Sequence, residues 1–543
     1  MQRRPGRTAI LAAIAALAAS ALAPATRADT ITHAGSQLVP DAPWLDHHVA
    51  SAGRAPDYEP LVTPSELPSG GSPARPSPEL TVSVGSVVLG EPLPPSFVGL
   101  SIEYRTLHDY AGTDPRAIDP VFIALMRGLD PGQSPVLRIG GNSTDQTWWP
   151  VKGITPPAGV TFGLSRRWMR LARGVATALG SRLILGINLA ADNPSLAAAE
   201  ARALLSGVGR SHIADLEVGN EPDAYPVFAW AENQFGRSTF PRRATYTLQD
   251  YIGELTHWGR VLPALPLAGP AFARGTWMAS LQSIIASEPK LRLVTFHRYP
   301  LRGCEHNPQM PDYPSVANLM ADSSSSGLAE RVAPFVATAH AAGLPFRLDE
   351  LNSASCEGRF GVSNTFASAL WALDTLFDLA QAGVDGVNLH TLPGTAYQPF
   401  QTFQNGSTWS ASVAPIYYGL LAFARSFPPG ARLLALNEPA GPVKVWATQA
   451  KDGRLHVVVI NKDPSTPYLV RIQIPGPQSA LSSETLSAPS LSATSGVTLG
   501  GQSFGARTAT GVLPPDPHPG SVPSLLGYYT VAVPAASAVL LTR

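Results

Sequence analysis

The 543-residue chain has little charge and almost no cysteine. Asp, Glu, Lys and Arg together make up only 14% of it, and acids and bases balance at 39 each. There is no net field, no run of like charges and no alternation of aromatic with basic residues. That absence excludes the usual electrostatic footprint of a nucleic-acid binder. With 53 prolines, so weakly charged a chain reads as an extracellular, loop-rich globular protein. Long apolar runs are missing too, apart from Ala9–Ala23, which follows Arg3, Arg4 and Arg7. That run is too short to span a bilayer comfortably and predicts a signal peptide over residues 1–28, cleaved after Ala21-Leu22-Ala23 or Thr26-Arg27-Ala28. No membrane span is expected in the mature chain.

Cys304 and Cys356 are the two cysteines. In an exported protein they are expected to pair. The bond closes a loop of 52 residues and contributes about 4 kcal/mol on the chain-entropy model. Cys304-Glu305-His306 lacks the spacing that zinc ligands take, and Gly140-Gly141 lacks the third glycine of a dinucleotide loop. No metal and no cofactor are expected.

Residues 29–80 are rich in Pro, Ser and Gly and read as a linker or arm. The segment 81–96 opens with the strand-like TVSVGSVVLG, expected to join a C-terminal β-sandwich. From 97 to 429 one theme repeats: an apolar run, a polar tip, a helical pattern. The runs lie at 97–103, 135–140, 183–189, 213–219, 266–272, 292–297, 345–349 and 385–390. Eight strands alternating with helices predict an α/β fold, a closed (β/α)8 TIM barrel. The clearest helix is 364–382, with Phe366, Leu370, Leu373 and Phe377 at helical spacing and Gly383 as its stop. From 430 to 543 short alternating strands predict an all-β sandwich domain.

Barrel enzymes gather their chemistry at the carboxyl ends of the strands. Two of these tips end in glutamate: Asn220-Glu221 after the fourth strand and Asp349-Glu350 after the seventh. Three steps apart in a ring of eight, they face each other across the mouth. Two opposed carboxylates are the minimum for glycoside hydrolysis, one donating a proton and the other attacking the anomeric carbon. Trp148, Trp149 and Tyr299 offer flat faces to a sugar ring. Strand alternation puts Glu217 on the inner face below Glu221, where burial demands a partner, either Arg138 or Arg347. Asp223, past Pro222, reads as a loop or helix-capping residue. Asp349 and His390, together with His297 at the sixth tip, are expected to support the glutamates from behind.

These tips resemble a known family. LEVGNEPD (216–223) resembles the acid/base motif of the clan A retaining glycosidases, and RLDELNSASCEG (347–358) resembles their nucleophile strand. Together with FVGLSIEY (97–104), RIGGNSTD (138–145), FHRYP (296–300) and the late β-domain, they are similar to glycoside hydrolase family 79, which holds β-glucuronidases and heparanase. The resemblance implies Glu221 as acid/base and Glu350 as nucleophile. It implies Glu103, Asn142, Asp145 and Asn220 around the terminal sugar, Tyr299 against the nucleophile, and Tyr397 near a uronate carboxylate. Members carry a tyrosine and glycines after the nucleophile, where this chain has Ser355-Cys356-Glu357-Gly358. Glu357 is expected to repel a uronate unless turned away. The expected function is an exported, exo-acting, retaining β-glucuronidase or 4-O-methyl-glucuronidase acting on a uronic acid-containing glycan or glycoside. The alternatives are another clan A activity (arabinofuranosidase, β-glucosidase or β-xylosidase) and an inactive carbohydrate-binding protein.

Overall fold

The computed structural model describes residues 77–232, 237–437 and 441–543. The expected signal peptide, and the arm as far as residue 76, lie outside the described residues. Eight parallel strands form a closed barrel: Val98–Glu103, Leu137–Gly140, Leu183–Ile187, Ile213–Val218, Leu267–Phe272, Leu291–Arg298, Phe346–Leu351 and Gly386–Thr391. They follow each other in chain order, and the ring closes where Val387 pairs with Val98. The expected TIM barrel is the observed one.

The helices between the strands follow from local signals. In Arg166–Leu179, the Ser165 side chain accepts from Trp168 N, and Gly180 ends the helix at φ 70°. Trp168, Leu171, Ala172, Val175, Ala176 and Leu179 are the face it buries, three and four residues apart as an amphipathic helix requires. Phe366–Gln381 departs from that pattern, since every residue from Phe366 to Leu379 is buried. It lies between the barrel and the β-domain. Trp446 of the β-domain stacks on Phe377 with ring centroids 5.2 Å apart, and its Nε1 donates to Asp374 at 3.1 Å. Lys462 pairs with the same Asp374.

The strand Glu79–Leu89 pairs antiparallel with Arg432–Asn437 and parallel with Tyr468–Gln473, so both ends of the barrel leave through one sheet. The β-domain strands share a continuous hydrogen-bonded order. Alternation splits their side chains between two cores. Val457, Val459, Val539 and Leu541 fill the domain's own interior, while Val458, Ile460, Ala538 and Leu540 pack toward the barrel. No helix among the described residues is long and apolar enough to cross a membrane.

Candidate active site

Beyond Val218 the chain must turn sharply to bring Glu221 to the mouth. Gly219 takes φ +80°, and a Cβ there would stand 2.8 Å from the Tyr225 hydroxyl. Glu221 itself is left-handed at φ 50°, ψ 50°, a conformation that costs a non-glycine residue about 1–2 kcal/mol. Bonds on both sides hold it there: Glu221 N donates to Ala271 O at 2.9 Å, and Ala224 N donates to Glu221 O at 2.8 Å. Asp223 fastens the next loop, accepting from Ala273 N and Arg274 N at 3.1 and 2.7 Å.

Glu350 faces Glu221 from the seventh strand in a different environment. Its side chain is 6% exposed against 23% for Glu221. Arg138 Nη1 donates to Glu350 Oε1 at 2.6 Å, and the Tyr299 hydroxyl donates to Oε2 at 3.0 Å. Burial alone would raise the Glu350 pKa. His297, His390 and Arg138 outweigh it and bring the carboxyl down to about 2, so Glu350 is ionised throughout the working range. His297 joins the two acids. Its Nδ1 lies 3.0 Å from Glu221 Oε1 and 3.6 Å from Glu350 Oε2. Burial pushes its pKa down, but Glu350 and Asp349 push harder and hold it well above the usual range. Nδ1 is thus placed to donate to Glu221.

One oxygen each of Glu221 and Glu350, and a His297 nitrogen, lie within 4.8 Å of one another.

Arg138 anchors the floor. It is fully buried and reaches Glu217 (2.6 Å), Ser101 (3.0 Å) and Asn220 Oδ1 (3.0 Å) as well as Glu350. Arg138 is thus the partner of Glu217; Arg347 binds Asn388 and the Ser96 carbonyl instead. Asn220 donates from Nδ2 to Asn142 Oδ1 at 3.2 Å, which leaves one amide hydrogen for a sugar hydroxyl. Glu103 accepts from Asn142 N and Ser143 N at 3.0 and 2.6 Å. This close seat requires glycine at 141, where a Cβ would stand 2.4 Å from Glu103 Oε1. His390 Nδ1 pairs with the Ser101 hydroxyl at 3.0 Å, and its ring meets Tyr397 edge-on.

Two expectations change. Asp145 lines the pocket beside Glu221, but its carboxylate oxygens are already engaged by the protein. Its Oδ1 accepts from Leu189 N and Ala190 N, and its Oδ2 from Asn220 N and the Tyr225 hydroxyl. It therefore orients the Asn220-Glu221 turn. Asp145→Asn sets an amide donor against these donors, and thermal unfolding should show a loss of about 2–3 kcal/mol. An unchanged melting temperature would contradict this role. Trp148 and Trp149 do not line the pocket beside Glu221. Its walls include Gln146, Ala224, Phe228, Ala229, Trp230 and Pro241. The aromatics sit in YPVFAW (225–230), directly after the Glu221 motif, and that adjacency was the available signal.

Cys304 and Cys356 form a disulfide with Cα atoms 5.8 Å apart, beside the short pairing of Leu301–Arg302 with Ala354–Ser355. Cys356, Glu357 and Gly358 then run left-handed at φ 53°, 65° and 78°. The Glu357 side chain is exposed. Burial raises the Tyr397 pKa well above its usual value, and the charges of Glu350, Glu103 and Glu357 add to the rise.

Residues 445–540 match the glycosyl hydrolase family 79 C-terminal beta domain. A β-glucuronidase of Aspergillus niger is 26% identical over 396 residues, 67% of this chain and 71% of that protein. One of Neurospora crassa is 23% identical over 387 residues, 64% and 66% of the two chains. The chain is a glycoside hydrolase that is similar to members of family 79. The fold of this glycoside hydrolase is similar to that of a 4-O-α-L-rhamnosyl-β-D-glucuronidase from Fusarium oxysporum 12S, at TM-score 0.67 and 20% identity, covering 86% of this chain and all of that one. It is also similar to a GH51 arabinofuranosidase from Xanthomonas axonopodis pv. citri, at TM-score 0.59 and 16% identity, covering 86% and 99%.

Proposed function

We propose that this glycoside hydrolase is a member of family 79 and an exported, exo-acting β-glucuronidase that cleaves with retention of configuration. The observation that carries the mechanism is the gap between the two glutamates. Oxygens of Glu221 and Glu350 lie within 4.8 Å, whereas inverting enzymes keep their carboxyl groups roughly 6.5–9.5 Å apart to seat a water. In the first step Glu350 forms a bond to the anomeric carbon, the glycosidic C–O bond breaks, and Glu221 passes its proton to the leaving oxygen. In the second, Glu221 takes a proton from water, whose oxygen attacks the anomeric carbon from the face the leaving group vacated while the bond to Glu350 breaks, so two inversions give retention. Tyr299 and Arg138 hold Glu350 in line, and His297 holds Glu221.

Similarity to the two fungal β-glucuronidases supports a uronic acid as the sugar. Tyr397 suits that role: it is buried near Glu350 and Glu103, and its hydroxyl is a donor for a substrate carboxylate. The Cys304–Cys356 disulfide fits an oxidising compartment, in keeping with the signal-like residues 1–28. Nitrophenyl β-glucuronide, α-arabinofuranoside, β-glucoside and β-xyloside tested side by side decide the sugar. The glucuronide should be turned over fastest. Brisk release of a neutral sugar with no glucuronide cleavage overturns the assignment, and turnover of none favours a binding protein.

The Phe228–Trp230 pocket opens beside Glu221 without contact to Glu350, on the side where a leaving group departs. Phe228→Ala should raise KM for a nitrophenyl glucuronide about 3- to 10-fold while leaving a methyl glucuronide unchanged. Equal effects on both substrates would place the leaving group elsewhere.

A further inference from the structure

Below the mouth the barrel holds two acids that the double displacement does not use. Glu217 and Asp349 come from the fourth and seventh strands, and both side chains are 0% exposed. Arg138 Nε has one hydrogen, yet Glu217 Oε2 stands 2.6 Å and Asp349 Oδ2 3.0 Å from it. Its geometry serves Glu217 only. Glu217 Oε1 and both Asp349 oxygens have no donor in hydrogen-bonding geometry. Two carboxylates crowded on one N–H without solvent repel each other strongly.

We propose that Glu217 and Asp349 share one proton, carried by Glu217 and donated to Asp349, and that this pair positions the catalytic groups above it. The neutral Glu217 carboxyl still accepts from Arg138, which keeps the guanidinium turned toward Glu350. The Asp349 anion stands 3.6 Å from His297 Nε2 and keeps that ring charged and aimed at Glu221. The other titratable groups facing Glu217 include Tyr104, Tyr251 and His297. Neither phenol is charged in the working range, because burial raises both well above their usual value.

The electrostatics agree with the geometry. Burial first, and then the Asp349 charge, push the Glu217 carboxyl up to about 8 against the pull of Arg138 and His297. Burial would raise Asp349 too, but Arg138 and His297 outweigh it and hold Asp349 below the ordinary range. A proton lost from Glu217 adds an uncompensated anion beneath His297 and draws Arg138 away from Glu350, so activity should fall as pH rises through that value.

The pair does not depend on which sugar is cleaved, and part of its test needs no turnover. Glu217→Gln keeps an acceptor for Arg138 and a donor for Asp349 but cannot ionise. It should retain kcat/KM within about threefold at pH 6 and lose the alkaline fall expected near pH 8 in the parent. In the full-length protein labelled with 13C at the glutamate carboxyls, the resonance missing from this variant should be that of a neutral acid at pH 6. Should the variant not fold, the same neutral resonance should move in Asp349→Asn. A more than 50-fold loss in Glu217→Gln at every pH would show that Arg138 needs an ionised Glu217, and a carboxylate resonance at pH 6 would overturn the shared proton directly.

Discussion

Glu350→Ala will lower kcat by about 10⁴-fold or more, equivalent to roughly 5.5 kcal/mol of activation free energy. The loss is large because the reaction's covalent bond forms at this carboxylate, which the site spends two direct hydrogen bonds on orienting. Added azide should restore part of the turnover. In the space left by the carboxyl, azide attacks from the face Glu350 used, and the product is the α-glycosyl azide. Recovery of the β-azide from this variant would mean that Glu350 is not the attacking group. The fold should survive, although Arg138 then loses one of its carboxylates and retains Glu217 and Asp349.

Glu221→Ala should have a different signature. Proton donation matters in proportion to how poor the leaving group is, so cleavage of a disaccharide should fall about 10²- to 10⁴-fold. Release of an activated nitrophenol, which needs little protonation, should fall far less in its first step and leave a glycosyl-enzyme that accumulates. Azide then intercepts this intermediate from the other face, and the product is the β-azide. Equal losses for good and poor leaving groups would remove Glu221 from the acid role. The two azide products form a pair, because exchanging the roles of the glutamates exchanges the anomers.

The barrel was legible in the sequence because each strand is an apolar run ending in a polar tip. All eight expected runs correspond to barrel strands. Strand alternation was also enough to turn Glu217 inward, since a side-chain period of two leaves it no other face. What failed to show depended on tertiary partners. Phe366–Gln381 reads as amphipathic because Asp374 and Asp378 punctuate it, yet the first of these is satisfied by Trp446 and Lys462 from the distant β-domain. Asp145 has the composition of a sugar ligand; only the positions of Leu189, Ala190, Asn220 and Tyr225 reveal that its acceptors are taken. Phe228 and Trp230 lie in an irregular stretch with no period to place them. His297 stood at a strand tip from the outset, but its bridge between the two glutamates needed coordinates.

The central claim is that Glu221 and Glu350 act from opposite sides of one anomeric centre with retention. Proton NMR of an aryl β-glucuronide during the first minutes of hydrolysis tests it most directly, before mutarotation mixes the products. The account predicts that the β-anomer of free glucuronic acid appears first and the α-anomer grows in later. The α-anomer appearing first would contradict it.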